Sequence, residues 1–165
     1  MPPGAVLDAN VLMSAPIRDA LLRAAEAALY RPVWSATILD EVRRNIIEHR
    51  RVDPAQAEYL IDRLKAAFPE AEIFDYESLG ASLTNDPKDR HVLAAAVTAR
   101  AHVIVTSNVR HFPDESLSVW RIVAQSPDQF LAPPGFDVAL YGPEVAPHQL
   151  FVASSNGVAS ELKTP

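Results

Sequence analysis

Three carboxylates and one amide stand where an α/β chain brings side chains to a ligand. Asp8 closes the short apolar run GAVL, Glu41 lies in an amphipathic stretch, Asp89 opens another, and Asn108 follows the run HVIVT. A short apolar run bounded by polar residues reads as a buried strand. Ligands of open α/β sheets sit in the crevice outside the carboxyl ends of the strands. On that geometry Asp8, Asp89 and Asn108 are expected at one sheet edge, with Glu41 reaching it from a helix that packs on the sheet. Clustered carboxylates repel one another unless hard cations neutralise them. With no cysteine in the chain, a metal must be held by oxygen or imidazole. Mg²⁺ is the expected guest, with Mn²⁺ as a substitute, and such a site suits phosphodiester hydrolysis. Asn108 offers a neutral oxygen where an Asp would add charge.

Each of these residues also has a plainer explanation. Asp8 and Asp86 could cap the helices that follow them. Asp89 would be stabilised by a helix dipole in any case. Glu41 could be one more solvated helix charge. His91, His102 and His111 read as surface or hydrogen-bonded residues, since none has a second His four positions on. Asn10 and Ser14 read as local hydrogen-bonders rather than nucleophiles, with Asn10 also a candidate substrate or partner contact. Arg43 and Arg44, followed by Arg50 and Arg51, could meet phosphates or simply coat a solvated helix face. Motifs of the form G-x-S-x-G, G-x-G-x-x-G and the P-loop do not occur, so triad hydrolases, dinucleotide enzymes and P-loop NTPases lack support.

The elements that must position these groups follow from periodicity. Helices are expected over residues 16–29, ended by Arg31-Pro32; from Ser35 as N-cap to about 49; from Asp53-Pro54 to about 68; from Asp86-Pro87 onward; and over 127–131. Strands are expected at 4–7, 33–34, 71–74, 102–106 and 121–124, with a loop over 76–86. Strand–helix alternation implies parallel pairing, right-handed crossovers and a three-layer α/β/α sandwich with a mostly parallel central sheet.

The 165 residues suffice for one domain with a real core, and a net charge of −6 argues against a general nucleic-acid coat while permitting a local basic surface. No apolar run approaches the roughly 20 residues of a membrane helix. The N-terminus carries no signal-peptide pattern, so the sequence reads as cytoplasmic and non-membrane.

Four blocks, VLDANVL, ILDEVRRN, DPKDRHVLAAAV and VIVTSNVRHFP, in this order and spacing, resemble a PIN domain, and the size is similar to the VapC-like toxins of type II toxin–antitoxin pairs. The resemblance implies a Mg²⁺-dependent endoribonuclease, often a homodimer, that cuts structured RNA and is neutralised by a small antitoxin protein. It places Asp8, Glu41 and Asp89 at the first, second and third acids, which would hold the metal. Asn108 falls at a fourth position that is often Asp, and His111 where a further Asp frequently occurs. Two other readings remain: a PIN-fold module that binds RNA or a partner without cutting, and a phosphoacceptor receiver domain, whose paired acids and distal Lys are not found in register. Replacing Asp8 or Asp89 by Asn is expected to leave the fold intact or stabilised, because like charges are relieved.

The resemblance covers about residues 5–131, so the expected division is a nuclease domain over 1–131 and a partly ordered tail over 132–165. The tail is rich in Pro and Gly and low in charge, a composition that cannot build its own core. Truncation after Ala132 is therefore expected to leave a cooperatively folding protein, checked by circular dichroism and urea unfolding. A truncated chain that stays unfolded would place the tail in the core.

Overall fold

The computed structural model describes residues 1–132, and the expected tail lies outside them. Five strands form one sheet: β1 (Gly4–Leu7), β2 (Arg31–Ser35), β3 (Glu72–Ile73), β4 (Val103–Val105) and β5 (Val123–Gln125), in the order β3-β2-β1-β4-β5. All four pairings are parallel. Helices α1 (Ala9–Leu12), α2 (Ala15–Glu26), α3 (Ala36–Arg50), α4 (Pro54–Ala67), α5 (Arg90–Thr98), α6 (Asp114–Leu117) and α7 (Pro127–Leu131) make the connections. Right-handed crossovers put helices on both faces of such a sheet, giving the α/β/α sandwich.

The chain runs outward from β1 to β2 and β3, then returns to β4 on the other side of β1 and runs outward to β5. The order therefore reverses between β1 and β4, which is where an open parallel sheet leaves a crevice. Every residue of β1 is buried, and Val6, Leu7, Val33, Trp34, Ile38, Leu93 and Ile104 anchor the core. A strand covered on both faces is apolar without alternation, which is why GAVL reads as a continuous run.

Local chemistry sets the boundaries. Ser35 ends β2 and caps α3, its hydroxyl accepting from Ile38 N–H at 3.2 Å. Asp53 caps α4 by accepting from Ala55 N–H at 2.8 Å, with Pro54 in the first turn. A capping box between Ser126 and Gln129 starts α7.

Two boundaries differ from expectation. Helix α2 stops at Glu26 and the chain turns at Ala28, whose φ is 57°, so Arg31-Pro32 does not end the helix but lies inside β2. Pro32 is tolerated in an interior strand for a definite reason. In a parallel ladder alternate N–H groups face alternate neighbours. Arg31 N–H bonds to Pro3 on the β1 side and Trp34 N–H to Ala71 on the β3 side, so Pro32 nitrogen faces the β3 side. Strand β3 pairs only with Trp34 and Ser35, so no ladder bond is lost. The second difference lies in the segment expected as a loop over 76–86, which contains a 3₁₀ turn at Glu77–Ser82; a further 3₁₀ turn, Pro87–Asp89, precedes α5.

Candidate active site

Asp8 follows β1 at the crevice and is 3% exposed. Its Oδ1 accepts from Ala9 N–H at 2.7 Å, capping α1. Its Oδ2 accepts from the Thr106 hydroxyl at 2.8 Å and from Asn10 Nδ2 at 3.0 Å. Thr106, fully buried just after β4, also accepts from Asn10 Nδ2 at 3.1 Å and from Asn108 N–H at 3.0 Å. Asn10 Oδ1 in turn accepts from Ser107 N–H at 2.9 Å. Asn10 and Thr106 thus tie the ends of β1 and β4 together around one carboxylate. Both ends of the Asn10 amide are engaged in this brace, beyond the local bonding expected of it.

Asp89 and Glu41, from two further segments, lie near enough for their charges to act on Asp8. Burial raises the Asp8 carboxyl above its ordinary 3.8, and the negative charges of Asp89 and Glu41 raise it further, against hydrogen bonds from Thr106 and Ala9 that lower it. Glu41 lies on α3 with Oε1 3.1 Å from Nε2 of His91, which opens α5. Asp89 sits at the N-cap of α5, yet its side chain caps nothing. Its Oδ2 lies 2.7 Å from His111 Nδ1 instead. Asp86 does cap the turn, accepting from Lys88 N–H at 3.0 Å. A backbone bond from Asp86 N–H to His111 O at 3.3 Å joins this turn to the one after β4. One ligand atom from each of Asp86, Asp89 and His111 falls within 4.8 Å of the others.

Several expectations change here. Asn108 is exposed, its side chain makes no hydrogen bond among the described residues, and its backbone N–H is what serves the site through Thr106. The β4 loop brings the His111 imidazole, rather than the Asn108 amide, to Asp89. His111, expected as a surface or hydrogen-bonded residue, bonds to Asp89, and His91 stands beside Glu41. Arg43 bonds to Asp40 and lies 3.9 Å from Glu58, and Arg44 reaches Asp40 at 2.9 Å. The Arg43 hydrogen bond and the charge of both arginines hold the Asp40 carboxyl below its usual value. These two cations are thus already paired on their own helix face, for the geometric reason that they stand three and four positions after an Asp.

Thr106 is the site residue that the sequence hid. A Thr ending a strand is ordinary, and only its register opposite Asp8 gives it a role. The two His–acid pairs span 50 and 22 positions, so no local spacing announced them.

The profile of the PIN domain matches residues 4–110, with all three acids inside. The chain belongs to the PIN domain family. Over 58 residues it is 57% identical to a Mycobacterium tuberculosis (strain ATCC 25618 / H37Rv) protein named "Putative ribonuclease VapC50"; the match covers 35% of this chain and 34% of that protein. The chain thus spans about a third of its curated relative. A solved structure of VapBC-1 from nontypeable Haemophilus influenzae shares the fold, with a TM-score of 0.52 and 17% identity over 75% of this chain and 98% of that one.

The burial of Asp8 has a pH consequence. Its folded value lies above its unfolded one, so the metal-free native state binds the extra proton between the two. Stability from this group is therefore highest at low pH and falls as pH rises from about 3.8 through the raised value. Asp89→Asn removes one of the charges that raise Asp8. Carboxyl ¹³C NMR of the metal-free protein should show the Asp8 midpoint moving down toward its ordinary value in this PIN domain variant. An unmoved midpoint would show that the two carboxylates do not share a field. Asp8→Asn is a less clean probe than its sequence suggests, since an amide cannot accept from all three donors now aimed at the carboxylate.

Proposed function

We propose that this PIN domain is a divalent-metal-dependent endoribonuclease that hydrolyses RNA phosphodiester bonds, the toxin of a toxin–antitoxin pair. The observation that carries the reading is a buried Asp8 carboxylate at the strand-order reversal that feels the charges of Asp89 and Glu41, which come from two other segments. The family and the name of the mycobacterial relative support it.

The donor set fits a hard cation. It consists of carboxylate oxygens with imidazole beside Asp89 and Glu41, contains no thiolate, and the charges of Asp89 and Glu41 add to the burial that raises the Asp8 carboxyl. Asp8, Asp89 and Glu41 would hold Mg²⁺, or Mn²⁺ in its place, which when bound supplies charge neutralisation and Lewis acidity at a phosphate.

The chain's own groups have separate tasks. Thr106 and Asn10 fix the Asp8 carboxylate, so its free lone pair keeps one direction. His111 holds the Asp89 carboxylate, which is not spent on capping. Glu41, one-quarter exposed and beside His91, is placed to orient a water and take its proton as that water attacks phosphorus. The bond from phosphorus to the leaving oxygen breaks as the new bond forms, and that oxygen takes a proton from solvent. Lys88 and Arg110, both exposed, stand on the two turns that carry Asp89 and His111 and supply the positive rim that an acidic chain needs to meet RNA. A small antitoxin, a homodimeric assembly and a cytoplasmic location belong to the same reading and rest on the toxin-like character of the family blocks. No helix among the described residues is long and apolar enough to cross a membrane.

The test is RNA cleavage by the purified protein with Mg²⁺ or Mn²⁺. Cleavage should stop on chelation and in Asp89→Asn, and Glu41→Gln should lower turnover by a factor on the order of 10² with little change in RNA binding. Undiminished cleavage by Asp89→Asn would refute the assignment. Wild-type protein that binds RNA without cutting it would favour the non-cutting module.

A further inference from the structure

At the opposite edge of the sheet, where β4 and β5 begin, a cavity of about 410 Å³ opens between the end of α5 and the turn before β5. Its floor includes Ala101 and Ile122, which are 5% and 4% exposed and belong to the core. Its wall carries Arg100, His102, Trp120 and Arg121.

Three features set this cavity apart. Trp120 is a large aromatic left 40% exposed, whereas the chain's other tryptophan, Trp34, is fully buried. Neither Arg100 nor Arg121 has a side-chain partner among the described residues, in contrast to Arg43 and Arg44. Both arginines sit on left-handed backbone, with φ of 52° and 55°, at the tight turns that end α5 and precede β5. A chain of net charge −6 thus presents two unpaired guanidinium groups around an open indole.

An exposed aromatic face between cations, over an apolar floor, is how proteins hold single-stranded nucleic acid: a base stacks on the ring and flanking phosphates meet the cations. We propose that this cavity is a second RNA-contact site, away from the acids, which takes one unpaired nucleotide of the substrate by stacking its base on Trp120 and pairing its phosphates with Arg100 and Arg121. The proposal rests on the reading of the protein as a ribonuclease and adds where RNA outside the cleaved bond is held. Strand β4 is three residues long, so only about 10 Å of sheet separates the two edges. An RNA strand crossing the β5 side can occupy both sites.

The test uses full-length protein carrying Asp89→Asn and a short single-stranded 2′-O-methyl oligoribonucleotide, which resists hydrolysis. Because Trp34 is buried, quenching of tryptophan fluorescence reports Trp120. The oligonucleotide should quench it, and Trp120→Leu should abolish the quench and weaken binding, measured by anisotropy of a labelled oligonucleotide, about tenfold. Arg100→Asn and Arg121→Asn keep a residue type that tolerates left-handed backbone, and each should lower the salt slope of binding by about 0.7. An oligomer abasic at every position should bind more weakly and quench little. Unchanged affinity in Trp120→Leu, or equal quenching by an oligoglutamate peptide, would overturn the proposal, the latter by showing a site for acidic partners. RNA cleavage by wild type is scored in parallel. If it occurs while Trp120→Leu binds normally, the second site alone is wrong, and if wild type neither cuts nor binds RNA, the ribonuclease reading fails first.

Discussion

A carboxylate buried at the strand-order reversal, held by three donors while two other carboxylates press on it, sets the terms for the rest of this structure. Water cannot solvate Asp8 there, so the protein must supply what water would. Ala9 N–H, the Thr106 hydroxyl and the Asn10 amide do so, and they come from both sides of the β1–β4 junction. The core makes this arrangement rigid. Strands β1 and β4 are paired over Ala5–Val103 through Leu7–Val105, which fixes Thr106 opposite Asp8. A slip of one residue would turn every side chain of β4 to the other face and dissolve the brace.

Hydrogen bonds hold the carboxylate in place, while burial and the charges of Asp89 and Glu41 outweigh them and raise it. Each of these two outer acids has an imidazole nitrogen within 3.1 Å. The tension is unlike that of a structural ion pair such as Arg44–Asp40, where opposite charges meet at the surface and each is satisfied. A cluster of like charges kept together by the fold is a state that a divalent cation stabilises, which links the energetics of the site to its proposed chemistry.

The strand that ends in Asp8, the helix that Ser35 caps, and the order of the acids were legible because they are written in local patterns: a short apolar run, a hydroxyl before an apolar stripe, a Pro after an Asp. Helix α7 was expected over the residues it occupies, for the same reason. What escaped depends on residues far apart in the chain. Thr106 meets Asp8 across 98 positions and His91 meets Glu41 across 50, and nothing in one segment signals the other. Arg43 and Arg44 pair with Asp40 at helical spacing, as the solvated-face alternative allows. Pro32 misled because a helix breaker was also a strand residue, harmless where its nitrogen faces unpaired chain.

The proposed function requires Asp8, Asp89 and Glu41 to act together on one cation, whose binding would relieve their repulsion. Thermal unfolding of the wild type and of Asp89→Asn, with and without Mn²⁺, tests it without reference to any substrate. An ion that binds only the native state stabilises it by about 2.7 kcal/mol at 100 times its Kd. The account predicts that Mn²⁺ raises the wild-type Tm progressively with concentration, that Asp89→Asn alone is at least as stable as the metal-free wild type, and that Mn²⁺ adds little to the variant. Equal Mn²⁺ stabilisation of both proteins, or none in the wild type, would contradict it.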